Sequence, residues 1–305
     1  MDKVLVIVGP TAVGKTALSI HLAKQLDGEI ISGDSMQVYR QLDIGTAKVK
    51  PEEQEGVPHY LIDCRELTES YSAADFQYEG RKRIADIIER GKLPIIVGGT
   101  GLYIQSLLYD YQLGGKKEEV APEIREKYEA FAETHGNEAL WQLLLDKDPQ
   151  AAATIHFNNK KKVVRALEVF EATGYSILTP KEEPALLYDY FMIGLETERS
   201  FLYERINQRV DLMLEEGLLA EAKLMYDNRD VQAAQGIGYK EFFPYFDKVI
   251  DLEEAVTQVK QNSRRYAKRQ LTWFRNRLEA EWFDLLRQPD ELKRLEQDVA
   301  RWLER

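Results

Sequence analysis

Residues 9–16, GPTAVGKT, place two glycines, a lysine and a threonine at the offsets of GxxxxGK[ST]. That pattern suits the cradling of phosphate. Glycines let successive backbone N–H groups turn toward an anion, and a following helix N-terminus adds positive potential. Gly9, Pro10, Thr11, Ala12, Val13 and Gly14 would form the cradle. Lys15 would bring a point charge to the phosphate oxygens, and the Thr16 hydroxyl can ligate Mg²⁺. An ordinary glycine-rich strand-to-helix turn is the alternative. The loop does not say what carries the phosphate, since a pyrophosphate on any organic group fits. Nucleotide hydrolases add an apolar strand ending in Asp for the metal. Here PIIV (94–97) runs into Gly98-Gly99-Thr100 instead, and only EIIS (29–32) leads to an acid, Asp34. A carboxylate just past a strand can serve as a general base or a metal partner, or can hold an Asx-turn. Thr100 can reach the same crevice or belong to a plain turn. Arg205 and Arg209 are four apart, beside the apolar Ile206 and Val210, so they can reach an anion or face solvent.

The elements that must position these groups follow from periodicity. KVLVIV (3–8) is a β-branched run of the kind buried on both faces of a parallel sheet. A helical repeat of Leu18, Leu22 and Leu26 follows, then strands at 29–32 and 60–62. Ser72 and Asp75 form a capping box opening a helix to about Arg90, with Phe76, Ile84, Ile87 and Ile88 inward and Gly91 as its stop. A strand at 94–97 completes an alternating pattern, which predicts an α/β fold: a P-loop NTPase-like parallel sheet flanked by helices. From about 116 to 174 the chain reads as charged helix, with no strand before DYFMIGL (189–195). An all-helical domain at 114–188 is therefore expected within a core made of 1–113 and 189–305. Leu202, Ile206, Val210, Met213 and Leu214 mark one later helix, and a second is expected from Glu253 to Leu278.

The 305 residues hold 41 Lys and Arg against 52 Asp and Glu, a net charge of −11 that by itself argues against a general nucleic-acid binder. The distribution argues otherwise. Residues 260–277 carry Lys260, Arg264, Arg265, Lys268, Arg269, Arg275 and Arg277 and no acid, with Tyr266, Trp273 and Phe274 interleaved. Basic groups bind phosphates and aromatics stack on unpaired bases, although a core-facing aromatic stripe gives the same spacing. Lys160, Lys161, Lys162 and Arg165 form a second cluster. A single cysteine, Cys64, excludes an intrachain disulfide and a CxxC site. With no signal-peptide pattern and no apolar run of membrane-spanning length, a cytoplasmic protein without membrane partners is expected.

Longer motifs go further. SGDSMQVYRQLDIGTAK (32–48), PHYLID (58–63), YSAADF (71–76), PIIVGGTGLYI (94–104), RALEVFEATG (165–174), ERINQRV (204–210), GIGYKE (236–241) and YAKRQLTWFR (266–275) join GPTAVGKT in order along nearly the whole chain. Together they resemble the bacterial tRNA dimethylallyltransferases, isopentenyl transferases of the P-loop class. The resemblance implies transfer of a dimethylallyl group from dimethylallyl diphosphate to N6 of adenosine 37 in the tRNA anticodon stem-loop, with Mg²⁺ as cofactor. It implies that residues 9–16 hold the donor diphosphate, Asp34 is the base, Thr100 lies near the amine and Arg209 is on the diphosphate. It places Asp34, Ser35, Met36, Gln37 and Thr100 at the target nucleotide. Further tRNA contacts would come from Arg125, Lys161, Lys162, Val163, Val164, Arg165, Gln235, Gly236, Ile237, Gly238, Tyr239, Lys240, Arg264, Lys268 and Arg269. Asn159 and Lys162 depart from the family's usual Asp and Arg, and Gln235 from a basic residue found in some members. A monomer is expected. Prenylation of free AMP or ADP, an ATP-dependent small-molecule kinase, and a non-catalytic RNA-binding protein with a vestigial nucleotide site are the alternatives.

Overall fold

Valine and leucine or isoleucine alternate along β1 (Lys3–Val8), so that Val4, Val6 and Val8 enter one core and Leu5 and Ile7 the other. The computed structural model describes residues 1–111, 113, 122–179 and 184–305. β1 is followed by α1 (Lys15–Gln25), β2 (Gly28–Ser32), β3 (His59–Tyr60), α2 (Ala73–Glu89), β4 (Leu93–Gly98) and α3 (Gly101–Leu108). Then come α4 (Pro122–Lys147), α5 (Pro149–Thr154), α6 (Lys160–Thr173) and β5 (Asp189–Leu195). The chain ends with α7 (Arg199–Glu216), α8 (Leu218–Asp227), α9 (Phe243–Phe246), α10 (Leu252–Arg277), β6 (Glu281–Phe283) and α11 (Glu291–Glu304).

The six strands form one sheet in the order β3-β2-β4-β1-β5-β6, and every pairing is parallel. Register decides where the chemistry falls. Val8 lies opposite Gly98 and Gly194, and Ser32 opposite Val97. The loops leaving β1, β2 and β4 thus emerge together at the carboxyl edge, where open α/β sheets bind ligands. Ser72 caps α2 through the expected box: its Oγ accepts from the Asp75 N–H (3.2 Å) while its own N–H donates to the Asp75 carboxylate (2.9 Å). Some local expectations shift. The third strand ends at Tyr60 rather than residue 62, because Leu61 and Asp63 turn to φ +60° and +51°. Ile88, Met213 and Leu214 are only half-buried. The three-residue β6 was not anticipated.

The chain divides into two compact units, Met1–Asp110 with Leu186–Arg305, and Tyr111–Ala185. The boundary expected at residue 114 lies outside the described residues. In the second unit, α4, α5 and α6 pack Tyr128, Leu140, Leu144, Ala151, Val163, Val164 and Leu167 together. Gly136 breaks α4 with φ +85°. Asn159 caps α6 by accepting from the Lys162 N–H (3.4 Å), and Gly174 ends it at φ +74°.

Candidate active site

The turn after β1 is held on three sides. Gly14 opens α1 at φ +96°, and Ala12 sits at φ +66°, a conformation that costs an L-residue energy unless neighbours fix it. α7 supplies two of those neighbours: Arg205 Nε donates to the Ala12 carbonyl (3.0 Å) and Arg209 to the Thr11 hydroxyl (3.4 Å). Leu202 and Ile206 of α7 and Ala267 of α10 form a small core that packs against Ala12. The third neighbour is Gln270 of α10, which accepts from the Thr11 N–H (3.2 Å). Both arginines therefore face the loop rather than solvent. Lys15 donates to the carbonyls of Gly9 (3.0 Å) and Pro10 (2.7 Å). Burial and the nearby Arg209 lower its pKa to about 8, and Asp34 opposes the shift. Burial likewise depresses the Arg209 guanidinium, with Asp34 as its main support. Two cations and one carboxylate thus share a field.

Asp34 follows β2, and its Oδ1 accepts from the Met36 N–H (2.8 Å). The Asx-turn is real, but it uses only one carboxylate oxygen. The adjoining turn after β4 is tied to it: Thr100 N–H donates to the Gly33 carbonyl (3.3 Å), and Thr100 Oγ1 accepts from the Ser35 N–H (3.2 Å). This close approach explains Gly98, where a Cβ would sit 2.4 Å from the Gly33 oxygen. Gln37 is occupied in holding the same wall, accepting from Ser32 Oγ (3.0 Å) and donating to the Thr46 carbonyl (3.1 Å).

A cavity of about 700 Å³ joins these walls. Thr11–Ala17, Asp34–Gln37, Gly98, Gly99, Arg205 and Arg209 line it, as do Gln235–Tyr239, Tyr266 and Gln270. Thr100 borders it through Ser35. Among the described residues no cluster of three or more His, Cys, Asp or Glu could hold a metal. The exposed Thr16 hydroxyl and the Asp34 carboxylate line one cavity, a sparse oxygen set that suits Mg²⁺, which keeps waters and shares phosphate oxygens.

Several residues expected at RNA have other surroundings. Tyr239, at the cavity wall, is fully buried with its hydroxyl donating to Glu221 (2.6 Å), and Val163 and Val164 are buried in the α4–α6 core. Gly236 packs against Met36, Gly238 is buried, and Ile237 is half-buried. Gln235, Lys240, Lys268 and Arg269 are exposed, whereas Arg264 donates to Asn207 (2.6 Å). In the second unit, Lys161 and Lys162 are exposed, while Arg125 (3.3 Å) and Arg165 (2.9 Å) share Glu168. Of the aromatics on α10, Phe274 is buried, Trp273 packs on Gly101 and Tyr266 faces the cavity.

Sequence reasoning missed Gln270 and Glu221. Glu221 accepts from the N–H groups of Asp43, Ile44 and Gly45, each at 2.9 Å, besides Tyr239. The signal for Gln270 was the uncharged stripe Ser263, Tyr266, Ala267, Gln270, Phe274 on an otherwise basic helix. Glu221 had no local signal, since its partners lie far away in the chain.

Fold and site together define a protein of the α/β class in which a P-loop motif and a carboxylate line one cavity. A family model described as IPP transferase matches residues 37–277. A tRNA dimethylallyltransferase of Enterococcus faecalis is 71% identical over 304 residues, spanning 100% of this chain and 98% of that relative. One from Latilactobacillus sakei is 55% identical over 310 residues, spanning 100% and 99%. Among crystal structures, the full-length tRNA isopentenylpyrophosphate transferase of Bacillus halodurans matches with a TM-score of 0.76 at 49% identity, over 100% of this chain and 97% of that one. A eukaryotic dimethylallyltransferase acting on tRNA matches with a TM-score of 0.77 at 34% identity, over 90% and 70%. The chain belongs to the IPP transferase family.

Proposed function

We propose that this enzyme transfers the dimethylallyl group of dimethylallyl diphosphate to N6 of adenosine 37 in tRNA. The observation that carries this reading is the single cavity in which Lys15 and Arg209 face Asp34. The donor diphosphate would lie on the loop N–H groups, Lys15 and Arg209. The allylic C1–O bond breaks, and its electron pair leaves with the diphosphate oxygen. Preorganised cations stabilise that developing charge better than water does. The N6 lone pair forms the new C–N bond, and its proton passes to Asp34, whose second carboxylate oxygen is outside the Asx-turn. Thr100 and Ser35 orient the adenine amine. Thr16 and the donor phosphates would hold Mg²⁺, which supplies further neutralisation of the diphosphate when bound.

The acceptor must enter the cavity unstacked, as bases do in enzymes that act on them. Exposed Lys268 and Arg269 on α10, and Lys161 and Lys162 on α6, supply phosphate-binding charge for a polymeric acceptor. The test is incubation with Mg²⁺, dimethylallyl diphosphate and unmodified tRNA, followed by nucleoside analysis. Prenylated adenosine at position 37 is expected. Prenylation of free AMP or ADP but not tRNA, or ATP-dependent phosphorylation, would overturn the reading.

A further inference from the structure

We infer that Gln270 is a positioning residue, holding the donor-phosphate loop and the Gly99–Thr100 turn in register for transfer; the inference rests on the functional reading above. Its side-chain amide spans the two walls of the cavity. Oε1 accepts from the Thr11 N–H (3.2 Å) and Nε2 donates to the Gly99 carbonyl (3.1 Å). Among the described residues no other side chain hydrogen-bonds to both turns. The amide is buried, with 5% of the residue exposed, so water cannot substitute easily for either bond.

Geometry makes this link consequential. Thr11 belongs to the loop that would carry the donor, and Gly99 precedes Thr100, which is bonded to Ser35 next to Asp34. The distance between leaving group, carbon and base therefore depends on how these two turns sit together. A misplacement of ~1 Å can cost ~10²-fold in rate. Ala12 is held at positive φ only by its neighbours, so freeing Thr11 loosens a loop with a softer alternative. Gly99 belongs to the same fit: a Cβ there would lie 2.0 Å from Gln270 Nε2. The end of a glutamine can swing aside, so such a side chain would displace the amide rather than the backbone. The exposed Arg265, Lys268 and Arg269 lie elsewhere on α10 and do not depend on the amide.

The test compares Gln270→Met, which keeps the length and loses both bonds, with Gly99→Ala, which pushes the amide away from the other side. Single-turnover transfer is measured at saturating dimethylallyl diphosphate and tRNA, beside tRNA Kd and Tm. Each variant should slow transfer at least ~10-fold with tRNA Kd within ~2-fold of the parent. The double variant should be about as slow as Gln270→Met alone, because both changes remove one contact. An unchanged single-turnover rate, or a loss confined to Tm or tRNA affinity, would overturn the inference. If Gln270→Met does not fold, Gly99→Ala decides alone. Absence of transfer by the parent enzyme would instead overturn the functional reading.

Discussion

Lys15 is a cation held where burial and a second cation oppose its charge. Its pKa near 8 makes two predictions. As pH rises through about 8 the free enzyme loses the charge that attracts diphosphate, so kcat/KM for the donor should fall. Bound diphosphate favours the protonated amine, so the fall in kcat should come at higher pH. The stability effect has the opposite sense. The unfolded chain keeps the lysine proton up to ~10.4, so below pH 8 the folded state carries the whole cost of burying the charge. That cost shrinks between about pH 8 and ~10.4. Lys15→Met should therefore abolish transfer while raising the stability of the ligand-free protein by ~1–3 kcal/mol at pH 7, measured by urea unfolding. Asp34 separates catalysis from binding differently. Asp34→Ala should lower turnover by ~10²–10⁴ with tRNA affinity nearly intact, and normal turnover would remove it from the role of base.

Loops make the walls of this site, and a half-buried carboxylate ties two of them together. Glu221 on α8 gathers three consecutive N–H groups of residues 43–45 and the Tyr239 hydroxyl. Burial and Glu221 push the Tyr239 phenol far up, so it remains a donor at any working pH. Glu221→Ala would strand these donors and should destabilise the fold by ~2–4 kcal/mol; Glu221→Gln, with one acceptor oxygen left, should cost about half. Equal chemical denaturation midpoints for the parent and the alanine variant would contradict this. The same elements explain what sequence can reveal. β1, the P-loop and the α2 cap rest on contiguous residues and were legible. β6 is three residues long with only Phe283 buried, too short for any period to register. Asp34 and Arg209 could be singled out because their neighbours in sequence carry the signal. Gln270 and Glu221 acquire their parts only when α10 and α8 meet loops more than a hundred residues away. Val163 and Val164 show the converse, a segment expected at RNA whose apolar side chains belong to the α4–α6 core.

Charge sets the scale of the whole molecule. The total of −11 includes the +7 of residues 260–277, so the other residues sum to −11 − 7 = −18. Part of that block is neutralised internally, Lys260 by Asp211 (2.6 Å) and Arg275 by Glu196. Arg265, Lys268, Arg269 and Arg277 are exposed with no carboxylate within ion-pair distance among the described residues. A polyanion approaching this protein is thus repelled over most of its surface and attracted where those side chains project. Counterion release should make tRNA binding fall steeply with salt despite the acidic total. Net charge and local charge can be separated by two substitutions of equal size. Lys268→Ala and Lys82→Ala, the latter on the exposed side of α2, each change the formal total by one. If local contacts govern binding, Lys268→Ala should reduce the slope of log Kd against log salt by ~1, while Lys82→Ala leaves it unchanged. Equal small shifts in both would mean that the overall field, rather than the α10 surface, controls RNA capture.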